Sequence, residues 1–175
     1  MRQSTPTLCA FCVVVALSIA AALLCALSLT SFAEERWRTY TNPRFGTTAD
    51  YPADLFTVAD PPPENDDGQG FRTTDGRAQL SIYGSWNVDS NTPQTYVSNY
   101  VDSAGVTYKR VTDRFYVVSG IRDGKIFYDR CNFLFDPHGI IDCISISYPQ
   151  AERSEWNSIV SRLSKSLRRG HSKLR

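Results

Sequence analysis

Five cysteines and two histidines are the residues of this 175-residue chain best suited to metal, redox or nucleophilic chemistry. Cys9, Cys12 and Cys25 fall inside a long apolar stretch, where cysteine behaves as a small hydrophobe. Cys131 and Cys143 flank Asp136-Pro137-His138-Gly139, whose Asp, Pro and Gly occupy the first, second and fourth positions of a turn. An even separation across a hairpin puts both side chains on one face, directly opposite or one step diagonal. Opposite residues bring their Cβ atoms to about 4.5–5.5 Å, close to bridging range. A disulfide between Cys131 and Cys143 is therefore expected, with two free buried thiols as the alternative. Neither residue lies in a Cys-x-x-Cys arrangement, and no second pair or spaced histidines complete a structural zinc set.

Other candidates are weaker. His138 sits in the predicted turn and His171 near the C-terminus, so both read as surface residues. No Gly-x-Ser-x-Gly elbow occurs, and Tyr83-Gly84-Ser85-Trp86 and Val118-Ser119-Gly120 read as strand ends. Glu64-Asn65-Asp66-Asp67-Gly68 fails as a calcium loop, because Pro63 stands where the first carboxylate belongs and the terminal Glu is missing. Asp129 and Asp142 share the cysteine hairpin, where a cross-strand partnership with Arg130 or a neighbour is expected. No glycine-rich phosphate loop precedes a helix. These residues assign no catalytic, cofactor or metal role, and no cofactor is expected.

The elements that would position these residues are mostly strands. Arg36 to Tyr40 and Phe45 to Tyr51 read as strands around an Asn42–Gly46 turn. Val58 to Gly70 reads as irregular, with Pro61-Pro62-Pro63 as a stiff spacer that keeps an acidic loop off the sheet. Asp75-Gly76 and Asp123-Gly124 each predict a type I′ hairpin, the first between Phe71–Thr74 and Arg77–Tyr83. Thr92-Pro93 caps a predicted helix over Pro93 to about Ser103, stopped by Gly105. Val106–Val111, Arg114–Ile121, Lys125–Phe135 and Ile140–Tyr148 follow as strands. Trp156, Ile159, Val160, Leu163 and Leu167 form the apolar stripe of a last helix, Gln150 to Arg168, before a solvated basic tail over 169–175. Hairpins with two amphipathic helices imply an α+β domain, a mostly antiparallel sheet with one mid-chain and one C-terminal helix packed on opposite faces.

Arg2, an uncharged run from Leu8 to Leu29, and Ser31-Phe32-Ala33 before Glu34 have the layout of a secretory signal cut between Ala33 and Glu34. The run is long enough that an uncleaved anchor is the alternative; both place residues 34–168 outside the cytoplasm as one domain. All 18 acidic residues, and all basic residues but Arg2, lie beyond Ala33, so the domain is near neutral and no nucleic-acid surface is expected.

Phe45-Gly46-Thr47-Thr48-Ala49-Asp50-Tyr51-Pro52-Ala53-Asp54-Leu55-Phe56 resembles the YGFSFSYPADWF-like opening of PsbP/Mog-type domains. Phe115 to Gly120, and Ser147-Tyr148-Pro149 before the terminal helix, are similar to small exported bacterial proteins of that fold. The resemblance spans 36–168 and implies an α/β/α sandwich. It implies no shared chemistry, since members bind different partners, and no functional residue transfers. The chain therefore reads as a periplasmic or secreted, non-enzymatic binding or accessory module, with an unidentified envelope protein as the expected partner and membrane contact only through its N-terminal segment where that segment stays uncleaved. A small periplasmic hydrolase or ligand-binding protein is the alternative reading.

Overall fold

The structure is a computed structural model, and it describes residues 36–134 and 139–169. The expected cleavage site at Ala33 and Glu34, both histidines and residues 170–175 lie outside the described residues.

Among the described residues, ten strands and two α-helices follow in the order β1 (Trp37–Thr41), β2 (Thr47–Pro52), β3 (Val58–Ala59), β4 (Gly68–Arg72), β5 (Gln79–Trp86), α1 (Pro93–Tyr100), β6 (Val106–Val111), β7 (Phe115–Arg122), β8 (Lys125–Phe133), β9 (Ile140–Pro149), α2 (Arg153–Ser166) and β10 (Arg168–Arg169). Seven strands form an antiparallel sheet in the order β3-β4-β5-β9-β8-β7-β6, and β1-β2-β10 form a second. The sequence implies an α+β fold of this kind, and the structure has it.

β9 lies between β5 and β8 and is covered on both faces, so its residues are buried or half-buried along its whole length, Asp142 included. Ile144, Ile146 and Tyr148 belong to one core, with Leu80, Ile82, Ile126 and the α2 stripe of Trp156, Ile159, Val160, Leu163 and Leu167. Trp156 stacks on Tyr148, with ring centroids 5.1 Å apart. Ile141 and Cys143 belong to a second core with Tyr116, Val118, Cys131 and Phe133, against which Tyr96, Val97 and Val101 pack. The helices thus cover opposite faces of the large sheet. β1-β2-β10 share the α2 side, where Ala49 enters the first core.

Several boundaries differ from the sequence reading, each for a physical reason. Asp123 and Gly124 both have positive φ, 48° and 72°, as a type I′ hairpin requires. In the Asp75-Gly76 loop only Gly76 has positive φ, at 69°. There Gly76 N–H bonds Thr73 O at 2.9 Å and Thr73 N–H bonds Ala78 O at 3.1 Å, a four-residue loop that Asp75 ties down by accepting from Thr73 Oγ1. α1 has the expected cap: Thr92 Oγ1 accepts from Thr95 N–H, and Thr95 Oγ1 from Thr92 N–H. It ends at Tyr100, not Ser103, because Val101 turns extended and packs into the second core; Gly105 serves the later turn into β6.

The 58–70 stretch carries β3 and the start of β4, and its acidic loop is not held off the protein. Asn42 Nδ2 donates to Asp66 O at 2.9 Å, and Arg44 Nη1 donates to Asn65 O, so side chains of the β1–β2 turn clasp it. The last helix is a 3-10 turn, Gln150–Glu152, followed by α2, and it stops at Ser166. Ser166 Oγ accepts the Asp50 N–H at 2.8 Å, and the next residues leave the helix to pair with β2, Arg168 opposite Thr48 and Arg169 opposite Thr47. Arg169 therefore belongs to the fold and is not the start of a tail.

Candidate functional site

Asp142 and Arg169 are built into the space between the two sheets. Asp142 faces Gly84 of β5 across the ladder. A Cβ on Gly84 would lie 2.4 Å from Thr47 Oγ1, so glycine is what lets β2 approach. Thr47 Oγ1 then donates to Asp142 Oδ1, and Arg169 Nη2 stands 3.2 Å from both carboxylate oxygens. The side chains are 2% and 23% exposed. A buried carboxylate that takes a guanidinium and a hydroxyl is a structural pair.

Cys131 and Cys143 stand directly opposite in the β8–β9 ladder, Cα–Cα 4.2 Å, and their sulfurs are bonded at 2.03 Å. Both are buried, and the Tyr116 hydroxyl lies 3.1 Å from Cys131 Sγ, to which it donates because a disulfide sulfur carries no proton. Burial raises the Tyr116 and Tyr83 phenols, with Tyr96 and Asp129 adding to the effect. Asp129 is on this same face. Burial pushes its carboxyl above the usual range, opposed by a hydrogen bond from Ser145 and the charge of Arg122.

Asp129 and Asp142, expected as hairpin neighbours, thus lie on opposite faces of the sheet and do not form a carboxylate pair. Arg130, the partner expected for them, points to the α2 side and bonds neither.

Two clefts flank α2. The first, of ≈ 540 Å³, is lined by Asp54, Asp75, Arg77, Glu152 and Trp156 among others. Four carboxylates, Asp54, Asp75, Glu152 and Glu155, line it with one cation, Arg77, so it is net acidic. Arg77 Nε bonds Asp75 at 2.7 Å and Arg77 Nη1 pairs with Glu152, which also accepts from Trp156 Nε1 at 3.2 Å. These bonds hold Asp75 and Glu152 below the usual carboxylate range, Asp75 first through Thr73 and Glu152 first through Trp156.

The second cleft, of ≈ 520 Å³, lies between α2 and the β6–β8 part of the sheet. Arg130, Arg153 and Lys165 line it, and no Asp or Glu does. Arg130 Nε donates to Asn132 Oδ1 at 3.1 Å and Nη1 to Ser164 Oγ at 3.2 Å; Ser164 Oγ is also 2.7 Å from the Tyr128 hydroxyl. The guanidinium stacks on Phe115, 4.7 Å from the ring centroid, and Arg110 lies over the same ring at 5.4 Å. Among the described residues none of Arg110, Arg130, Arg153 and Lys165 forms an ion pair. Tyr108 and Ile121 line the same cleft and are 51% and 39% exposed.

The sequence reading missed this cleft. The alternation Ile126, Tyr128, Arg130, Asn132 marks one face of β8, but nothing local shows that the packing of α2 leaves a cleft beside it.

No known family's sequence profile matches the chain, and no curated protein matches it. Among solved structures, the solution structure of cyanobacterial PsbP (CyanoP) from Synechocystis sp. PCC 6803 superposes with a TM-score of 0.52. The match covers 81% of this chain and 97% of that one at 13% identity. The fold is PsbP-like. At that identity the likeness carries the PsbP-like architecture and no binding residue. Among the described residues no helix is long and apolar enough to cross a membrane, and no three His, Cys, Asp or Glu side chains gather as a metal site.

Proposed function

We propose that this chain is a non-enzymatic binding or accessory module of the cell envelope, a PsbP/Mog-type domain delivered to the periplasm by its N-terminal segment. The PsbP-like fold supports the accessory reading, and Arg2, the Leu8–Leu29 run and Ser31-Phe32-Ala33 support export. The observation that carries binding is the α2–β8 cleft. It combines a half-buried arginine held by neutral partners, two further cations, and partly exposed Tyr108 and Ile121. Aromatic and arginine side chains of this kind dominate binding surfaces.

The test has two arms. Cell fractionation with sequencing of the mature N-terminus is expected to find the protein outside the cytoplasm, beginning at Glu34 or retaining Met1 in the membrane. Recovery of the domain in the cytoplasm overturns export. A substrate screen on the purified protein is expected to be blank, and turnover abolished by one Asp or Glu substitution with the fold intact overturns the binding reading.

A further inference from the structure

We infer that the α2–β8 cleft is a receptor for oxyanions, carboxylate or phosphate groups carried by an elongated ligand, with Arg130 as the principal anchor. This assignment rests on the binding reading above and names its chemistry.

Arg130 is half-buried, and a charge withdrawn from water needs a counter-charge. Its partners are an amide oxygen and a hydroxyl, both neutral. They use two of the five N–H donors of a guanidinium and hold its plane against Phe115. An arginine fixed in this way presents its fork with little further loss of freedom, which suits bidentate capture of a carboxylate or phosphate. Arg110, over the same ring, adds a second positive charge on this face of the sheet. Like charges gathered without a carboxylate among them repel, and an anion relieves that repulsion.

The cleft also has length. Arg153 and Lys165 lie at opposite ends of α2, with Cα positions about 18 Å apart at the rise of an α-helix. Asn157, Ser161 and Ser164 line the wall between them as neutral hydrogen-bonding groups, and the half-exposed Tyr108 supplies ring surface. Its ≈ 520 Å³ falls within the roughly 300–1,000 Å³ of ligand pockets. Such a site takes a ligand with anionic groups near both ends. The same carboxylates come from a small polyacid or from an acidic stretch of a partner protein.

The purified, oxidised full-length protein is titrated with sodium citrate, sodium pyrophosphate and N-acetylated pentaglutamate, each against sodium chloride at matched ionic strength. Amide and arginine Nε resonances are followed by NMR. Saturable shifts at Arg130, Ser164 and Lys165 beyond those from chloride are expected. Pentaglutamate binding tighter than citrate assigns the acidic segment, and the reverse assigns a small polyacid. Arg130→Gln and, separately, the exposed-site change Lys165→Glu are expected to weaken binding at least about tenfold with the thermal midpoint retained. Arg130→Lys restores only part of the loss, and Arg77→Gln, in the net-acidic first cleft, leaves binding unchanged. Shifts no larger than those from chloride, shifts centred outside this cleft, or binding untouched by both variants overturn the assignment. That result leaves the general binding reading intact, since the latter falls only to the turnover defined above.

Discussion

Two arginines lie on the α2 side of the large sheet, one strand apart in their attachments, and they have opposite fates. Arg169 meets a buried carboxylate, Asp142, which Thr47 also serves. Arg130 meets an asparagine, a serine and a phenylalanine ring. Asn132 links the two regions: its Oδ1 accepts from Arg130, and its Nδ2 donates to Leu167 O at 3.3 Å, two residues before Arg169. The first arginine is consumed by the fold. The second is held in place by the fold and left without a counter-charge among the described residues. Whether a cation's partner lies inside the chain separates structure from site here, and burial alone does not.

The contrast is sharpest if Asp142 is removed. Asp142→Ala leaves Arg169 buried without its carboxylate and should cost about 3–5 kcal/mol, read as a lower urea midpoint. A loss below about 1 kcal/mol, as for an exposed pair, would mean that Arg169 is no more committed to the fold than Arg130. The disulfide, on the opposite face, is a control that touches neither arginine. With its ends 12 positions apart in sequence, replacing both cysteines by serine should cost about 3 kcal/mol in the chain-entropy treatment, while citrate binding to the refolded protein stays unchanged. Coupled loss of binding would show that the two faces are not independent. Arg130→Gln should change stability by less than about 1 kcal/mol; a collapse comparable to that of Asp142→Ala would make Arg130 a structural residue and erase the distinction.

The smallest effect concerns Asp129 and has a definite sign. Its folded pKa lies above the ordinary value of 3.8, so the native state favours the protonated form. Stability from this residue is present at pH below the ordinary aspartate value and is lost as pH rises through the window up to the raised folded pKa. Asp129→Asn should therefore raise the melting temperature at neutral pH and converge with the parent in acid. A variant less stable at pH 7 would show the hydrogen bond from Ser145 outweighing burial.

Most elements were legible because their signals are local. Thr92-Pro93 and Asp123-Gly124 specify a cap and a turn through their own backbone preferences, and the Trp156-to-Leu167 spacing specifies a helix face. The cysteine pair was legible through strand periodicity. The fate of Arg169 was not, since a basic dipeptide after a helix reads as solvated unless a buried aspartate waits on a distant strand. Local patterning places Asp129 and Asp142 on one hairpin, but the thirteen-residue offset in numbering is odd, and the ladder puts Asp142 opposite Asn132 with its side chain on the face away from Asp129. The acidic loop was misread for the same reason as Arg169: its clasp comes from Asn42 and Arg44, far back in the chain.

The central position of β9 bears on how the protein is made. β3-β4-β5 and β6-β7-β8 can each pair in chain order, but β5 and β8 both await β9. A chain emerging N-terminus first therefore holds two open strand edges until residue 149 is available, and open edges pair readily with other chains. Asp142 stays without its guanidinium longer still, until Arg169 is made. Native pairing is thus a late event in biogenesis, completed only when residue 169 has been made. During that interval Cys131 and Cys143 are two accessible thiols, so oxidation before β9 inserts fixes the register of the hairpin ahead of the sheet that will enclose it.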